Sequence, residues 1–230
     1  MRYSANLNII IKALEKATNH LARDFIELEN LQPNPNSANK FAILSQNRVK
    51  QILIDEFTKF RADYDIKFSD GQEIIRKENN EYCFAVIVLD GIENLARSNP
   101  DYVTGVALLH RGNDSQYETV ALAIFKVIGG ELFYCEKGFG AYLNNRRLRV
   151  SKRNHQQQII INDSSLLLEK NSILRNYGCP ILSIAYFASA RCEKIYLEKN
   201  YSFVKYFTLL AKEAGGKVEE INEQIVVSNL

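Results

Sequence analysis

Apolar residues recur at helical spacing through the first part of the chain. From Ser4 to Leu31 they fall three and four positions apart, which predicts one long amphipathic helix. The polar stretch QPNPNSANK that follows predicts a loop by its Pro, Asn and Ser content. The helical pattern returns from Ser45 to Phe60 and predicts a second helix. The chain is therefore expected to open with two helices.

Apolar runs of strand length, separated by turns, follow in the middle of the chain. Asp70-Gly71 predicts a turn after a short strand, and Gly129-Gly130 predicts a hairpin between two apolar runs. The predicted strands are Tyr82 to Leu89, Tyr102 to His110, Thr119 to Ile128 and Glu131 to Glu136.

The last third of the chain alternates between the two patterns. The predicted helices are Ser164 to Asn176, Pro180 to Arg191 and Phe203 to Ala214. The predicted strands are Gln157 to Asn162, Lys217 to Ile221 and Gln224 to Asn229. This order predicts a layered α/β (α+β) fold in one domain over 1–230, with a lobe 1–150 and a smaller lobe 151–230.

Composition narrows the class of protein. The chain has 230 residues, 46% hydrophobic and 24% charged, with a formal net charge of +2, so nothing favours a dedicated nucleic-acid binder. No apolar run reaches the ~18 residues typical of a membrane span, so we expect no membrane partner. The four cysteines form no C-x-x-C pair, and the N-terminal apolar stretch lacks a signal-peptide pattern. These features predict a cytoplasmic protein with reduced cysteines.

The segment AVIVLDGIENLAR is the leading candidate for chemistry. An apolar run ends at Asp90, and Gly91 then opens a polar segment whose backbone N–H groups suit an anion. Metal chemistry on a phosphate needs several carboxylates, however, and only one, Asp90, stands at the end of the apolar run. Asp90 is therefore either part of a site or merely a turn or helix-capping acid.

A basic stretch, NNRRLRVSKRN, follows the predicted hairpin. It can contact phosphate or RNA, or it can form a solvated edge that resists strand pairing. Its cations are Arg146, Arg147, Arg149, Lys152 and Arg153.

Residues 129–151, GGELFYCEKGFGAYLNNRRLRVS, resemble the inositol monophosphatase family, which includes the bacterial extragenic suppressor proteins. They match its G-E-L-F/Y strand, G-x-G-A segment and N-G-x-x-I/L-x-V-S ending. The stretches NLARSNP, GCPILSIAYFASAR and LAKEAGG agree with further family segments in the same order, with a shortened region between Ser151 and Gly178.

The resemblance implies an alternating αβαβα sandwich, usually a homodimer. It also implies Mg²⁺-dependent hydrolysis of a phosphorylated small molecule such as inositol 1-phosphate. In such a reaction, metal ions clamp the phosphate and activate water. Some bacterial relatives associate with the transcription and ribosomal-RNA machinery, which implies an RNA or protein partner as the alternative.

The family's acidic loop, D-P-I/L-D-G-T-x-N, aligns with Ile87 to Asn94 on the shared Asp-Gly. Its second Asp is Asp90, but its metal-bridging first Asp is Ile87 and its Thr is Ile92. The resemblance assigns a metal role to Asp90 and to the backbone carbonyl of Leu89. It assigns substrate contacts to Gly91, Ile92 and Asn94.

The family's other acids are mostly replaced. Its Glu-Glu pair aligns with Asp70-Gly71, which leaves Asp70 as a second metal candidate. An earlier Asp aligns with Ser45, and a late metal Asp aligns with Phe203 or Val204. Glu198 lies near the position of a carboxylate that contacts the sugar ring.

We therefore expect weak or absent phosphatase activity and weak or absent Mg²⁺ binding. The leading hypothesis is a degenerate phosphatase retained for binding. The rival is a true enzyme whose Glu93, Asp70 and Asp90 surround a single Mg²⁺. If the alignment is right, Asp70 and Asp90 face one cleft.

Overall fold

The computed structural model describes residues 4–112, 114–153, 158–163, 172–201 and 203–229. The helices are α1 (Ala5–Thr18), α2 (Leu21–Leu31), α3 (Pro35–Phe60), α4 (Ile92–Ala96), α5 (Pro180–Ala188), α6 (Val204–Phe207) and α7 (Leu209–Glu213). The strands of the first half are β1 (Asp65–Phe68), β2 (Glu73–Ile74), β3 (Tyr82–Asp90), β4 (Val103–Arg111), β5 (Tyr117–Lys126), β6 (Glu131–Glu136), β7 (Gly140–Leu143) and β8 (Arg146–Arg147). The later strands are β9 (Gln158–Asp163), β10 (Ser172–Arg175), β11 (Lys194–Glu198), β12 (Lys217–Ile221) and β13 (Gln224–Ser228).

The strands form two sheets. The first has the order β2-β1-β3-β4-β5-β6-β7-β8, in which β1 runs parallel to β3 and the other neighbours are antiparallel. The second has the order β10-β9-β11-β13-β12, in which β9 runs parallel to both of its neighbours. The α/β fold class predicted from the sequence is confirmed.

The helices pack in layers on these sheets. Helices α1 to α3 cover one face of the first sheet, where Phe57 of α3 stacks on Phe84 of β3 with ring centroids 4.1 Å apart. Helices α5 to α7 lie between the two sheets and share one core with both. Every residue of α5 is buried, as expected for a helix that is covered on all sides. The division into lobes 1–150 and 151–230 stays a prediction.

The first predicted helix is in fact two helices. Helix α1 ends at Thr18, whose hydroxyl donates to the carbonyl of Leu14 at 2.8 Å, and α2 begins at Leu21. The prediction of one helix was wrong because the apolar spacing continues across the break, and both helices pack on α3.

The second helix begins ten residues earlier than the sequence pattern indicated, at Pro35 instead of Ser45. The Asn34 side chain accepts a hydrogen bond from the backbone N–H of Ser37 at 3.2 Å, and Pro35 occupies the first turn. Both features favour a helix start. The loop prediction treated Pro and Asn as helix-breaking residues. Here Asn34 caps the helix and Pro35 occupies its first turn.

Two helices predicted in the last third of the chain also differ from the structure. The predicted helix from Ser164 to Asn176 is wrong over Ser172–Arg175, which is strand β10 beside β9, while residues 164–171 lie outside the described residues. The helix predicted from Phe203 to Ala214 is two short helices that meet at Thr208. The Thr208 hydroxyl donates to the carbonyl of Lys205 at 2.8 Å, which satisfies a helix-end acceptor.

A glycine at the centre of the fold permits close packing between β4 and the helices of the middle layer. A Cβ added at Gly105 would lie 2.5 Å from Cδ1 of Ile181 and 2.7 Å from Cε1 of Phe207. We expect Gly105→Ala to lower the free energy of unfolding by about 1–3 kcal/mol, since overpacking forces side chains apart. Urea denaturation followed by circular dichroism measures the change. The control is Gly130→Asn, because Gly130 has φ 61° and open space around it. Equal losses in the two variants would contradict the packing argument.

Candidate active site

Asp90 is a fully buried carboxylate at the end of β3. The pairing of β3 with β4 slips between Ile87 and Asp90, which marks a β-bulge there. One carboxylate oxygen accepts the backbone N–H of Ile181 at 2.7 Å, and the other accepts the hydroxyl of Tyr201 at 2.7 Å. Asp90 thus ties the first sheet to the first turn of α5 and to the segment before α6.

Burial has a strong effect on this carboxyl group. Desolvation raises the pKa of Asp90 from its ordinary value of 3.8 to about 6, although the hydrogen bonds from Tyr201 and Ile181 act in the opposite direction. The pKa of the Tyr201 hydroxyl is raised by its own burial and by the charge of Asp90. At neutral pH the Asp90 carboxylate is therefore ionised, and Tyr201 keeps its proton and donates it.

A partly buried acid, Asp163, lies at the end of β9 and was not predicted from the sequence. It accepts a short hydrogen bond from the Ser183 hydroxyl of α5 and a 3.3 Å bond from the backbone N–H of Tyr177. Desolvation by burial raises its pKa. The available signal was the same as for Asp90, since the apolar run before Asp163 also ends at one carboxylate.

Gly91 and Asn94 shape the turn after Asp90. Gly91 has φ 79°, and a Cβ there would lie 2.8 Å from the carbonyl oxygen of Asp101. The Asn94 amide donates to the carbonyls of Asp101 at 2.7 Å and Tyr177 at 2.8 Å. Ile92, the first residue of α4, packs on the core formed with α1 to α3. The side chains of Asn94 and Ile92 are thus engaged in holding the loop.

Asp70 lies in the exposed turn after β1, the parallel neighbour of the strand β3 that ends at Asp90. Lys50 of α3 donates to Asp70 at 2.5 Å, and this hydrogen bond lowers the pKa of Asp70. A cleft shared by Asp70 and Asp90 stays a prediction. Glu198 ends β11, three positions before Tyr201.

The remaining aligned positions are packed. Ile87 is 2% exposed in the core shared with α5, and Leu89 is buried in the core on the other face. Ser45 is fully buried within α3, and its hydroxyl has no hydrogen-bond partner in the described part of the chain. Phe203 precedes α6 with φ 67° and packs against the middle layer.

Comparison with known proteins places this fold and site in a family. No protein-family model matches the chain. The inositol-1-monophosphatase of Rhizobium meliloti is 30% identical over 233 residues, which covers 94% of this chain and 85% of that protein. The chain belongs to the inositol monophosphatase family. The Nus factor SuhB of Xylella fastidiosa is 29% identical over 92% of this chain and 80% of that protein.

Solved structures agree with this family assignment. The extragenic suppressor protein suhB of Bartonella henselae superposes with a TM-score of 0.83 at 25% identity, over 99% of this chain and 94% of that one. The inositol monophosphatase of Anabaena superposes with a TM-score of 0.77 at 20% identity. The match covers 97% of this chain and 90% of that one, and it supports the fold.

The family implies Mg²⁺, but the donors present here do not fit such a site. Among the described residues, no three His, Cys, Asp or Glu side chains are grouped so that they could hold a metal. Both oxygens of Asp90 are taken by protein donors, and Asp70 is paired with Lys50. Because Mg²⁺ requires a near-octahedral set of oxygen ligands, this arrangement is a poor match for it.

A membrane-crossing helix is not found in the described ranges, where each helix is too short or too polar to span a bilayer.

The titration of Asp90 predicts a pH effect on stability. Its pKa is higher in the folded chain than in the unfolded chain, so the folded state holds the proton more tightly. The contribution of Asp90 to the free energy of unfolding is therefore greatest below about pH 4 and falls as the pH rises through about 6. We expect the stability of Asp90→Asn relative to wild type to rise by about 2 kcal/mol between about pH 4 and about pH 7.5. Urea denaturation at a series of pH values measures this difference.

The matched variant is Tyr201→Phe. It removes a donor that lowers the Asp90 pKa in the folded chain, so its loss of stability should be larger and should continue to a higher pH than in the wild type. Parallel pH profiles for wild type and Asp90→Asn would show that Asp90 does not titrate as its surroundings indicate.

Proposed function

We propose that this member of the inositol monophosphatase family is a degenerate phosphatase that serves as a binding protein. The proposal rests on the state of Asp90, whose carboxylate is fully buried with both oxygens hydrogen-bonded to Tyr201 and Ile181. A metal ion or a substrate would have to enter a fully desolvated position, where each carboxylate oxygen already accepts a hydrogen bond.

Magnitudes support the proposal. Enzymes accelerate phosphate-monoester hydrolysis by factors of up to ~10²¹. The backbone N–H groups after Gly91 can still attract a phosphate, but an exposed helix N-terminus contributes only ~0.3–1 kcal/mol to holding an anion. An interaction of this size is compatible with binding a phosphate. Activating water for attack on phosphorus requires a far larger stabilisation of the transition state.

The replacements around Asp90 fit a retired metal site. A cluster of carboxylates repels itself unless cations neutralise it. Ile87 and Ile92 remove that repulsion and add buried apolar surface, while the Tyr201 hydroxyl satisfies the remaining carboxylate. Tyr201 thus supplies a neutral donor to the one acid that is retained.

Activity and metal response test this proposal together. With millimolar Mg²⁺ and inositol 1-phosphate, we expect kcat to lie orders of magnitude below the common range of ~1–10³ s⁻¹. We also expect almost no Mg²⁺-dependent rise in melting temperature, because a metal that binds weakly stabilises little. A phosphate-release assay and differential scanning calorimetry are the measurements.

An intact relative, such as the Rhizobium meliloti protein, serves as the positive control. A kcat within the common range, or a large Mg²⁺ shift in the melting temperature, would overturn the proposal. Either result would favour the rival arrangement of Glu93, Asp70 and Asp90 around a single Mg²⁺.

A second candidate function is contact with RNA, as part of a regulatory role. Relatives that cover most of this chain are named Nus factor SuhB. Within the described residues the basic stretch is exposed around β8, and Arg153 is paired with Glu193 at 2.9 Å. The exposed cations without a carboxylate partner there are Arg146, Arg147, Arg149 and Lys152. A homodimer and a cytoplasmic location, both expected from the sequence, remain proposals.

The RNA candidate predicts salt-sensitive binding. If these four cations contact phosphates, the logarithm of the affinity for single-stranded RNA should fall against the logarithm of salt concentration with a slope of about −3. Fluorescence anisotropy with a labelled RNA measures the slope, and Arg146→Gln with Arg149→Gln should reduce it by about half. An unchanged slope in that variant would assign the exposed arginines to a solvated sheet edge.

A further inference from the structure

A second concave site lies away from Asp90, between the two halves of the fold. It is a groove of about 440 Å³ bounded by β5, the turn between β6 and β7, the α6–α7 pair, and β12 with β13. We call it the lysine groove, and its charged lining residues are Glu118, Lys137, Lys205, Lys212, Glu213 and Glu220. None of the residues that bond to Asp90 lines it.

The three carboxylates of the lysine groove are each hydrogen-bonded by groups of the protein. Glu118 accepts the Lys137 ammonium at 2.6 Å, and Glu220 accepts the Lys199 ammonium at 2.8 Å. Glu213 accepts hydrogen bonds from two backbone N–H groups, those of Gly138 and Gly140, each at 2.7 Å. The charges of Glu118 and Glu220 are thus offset by lysines, and Glu213 is bonded to the turn between β6 and β7.

Two ammonium groups of the groove, those of Lys205 and Lys212, belong to exposed residues. Among the described residues, neither Lys205 nor Lys212 forms an ion pair with a carboxylate. Both act on Glu220, whose pKa is lowered first by the hydrogen bond from Lys199 and further by the charges of Lys205 and Lys212. Both lysines line the same groove, Lys205 on α6 and Lys212 on α7. Like charges in a concave site focus a positive potential, which favours an anionic ligand.

The remaining lining residues are aromatic and apolar, so they suit a ligand that has an uncharged part beside its charged group. Tyr206, Leu209 and Ile225 form walls, and the Lys205 ammonium lies 5.1 Å from the centre of the Tyr206 ring. A volume of about 440 Å³ exceeds that of a bare oxyanion and falls in the range of small-molecule sites, ~300–1,000 Å³.

We propose that the lysine groove binds a phosphate monoester of the size of a sugar phosphate, through Lys205 and Lys212. Two lysine ammonium groups match the charge of a phosphate dianion. The Tyr206 ring contacts the uncharged part of the ligand. The site is separate from Asp90, so it does not depend on whether the chain hydrolyses phosphate.

Nuclear magnetic resonance titration of the full chain at low salt tests this site. The probes are glucose 6-phosphate, inorganic phosphate and glucose. We expect glucose 6-phosphate to shift backbone amide signals at residues 117–119 and 205–213, with tighter binding than inorganic phosphate and no response to glucose. The double variant Lys205→Gln with Lys212→Gln should bind the monoester at least about tenfold more weakly, which corresponds to ~1.4 kcal/mol.

The matched control is Arg149→Gln with Lys152→Gln, which removes two exposed cations outside the lysine groove. It should keep the wild-type affinity, and so should Tyr201→Phe. The proposal is overturned if glucose 6-phosphate causes no shifts at about 10 mM, or if the Lys205 and Lys212 variant keeps its affinity. It is also overturned if the control variant loses as much affinity, since binding would then follow net charge alone.

Discussion

The structure depends on a buried carboxylate that is satisfied by groups from distant parts of the chain. Asp90 receives the N–H of Ile181 and the hydroxyl of Tyr201, which lie 91 and 111 positions later in the sequence. A buried charge is costly unless its acceptor sites are bonded. The segments that carry these donors must therefore stay in place for the end of β3 to stay buried.

This constraint links the fold to the functional conclusion. In the family that the chain belongs to, the corresponding acidic loop implies metal ions that neutralise several carboxylates. Here one carboxylate of that loop remains, and a phenol and a backbone amide bond to it. The contacts at the junction of β3 and α5 bury Asp90 and bond both of its oxygens, so a metal ion would have to compete with these donors for the same atoms.

The middle helix layer extends this arrangement across the molecule. Helices α5 to α7 share one core with both sheets, and Asp163 at the end of β9 bonds to Ser183 of α5 much as Asp90 bonds to Ile181. On the far side of the same layer, Glu213 of α7 holds the turn between β6 and β7 through two amides. That contact forms one wall of the lysine groove, so the groove is built on a rigid part of the fold.

The sequence by itself determined the elements whose signals are local. The strand Glu131–Glu136, the strand Lys217–Ile221 and the start of α5 at Pro180 follow from apolar runs and turn residues alone. The family resemblance was also available from the sequence, and it identified Asp90 as the retained acid. Tertiary structure decided the rest, because the deciding contacts are remote in sequence. The apolar spacing from Ser4 to Leu31 is equally compatible with one helix or two, and packing on α3 selects two. The run at Ser172–Arg175 becomes a strand because β9 offers it a partner. Likewise, no local pattern could show that the hydroxyl of Tyr201 bonds to Asp90.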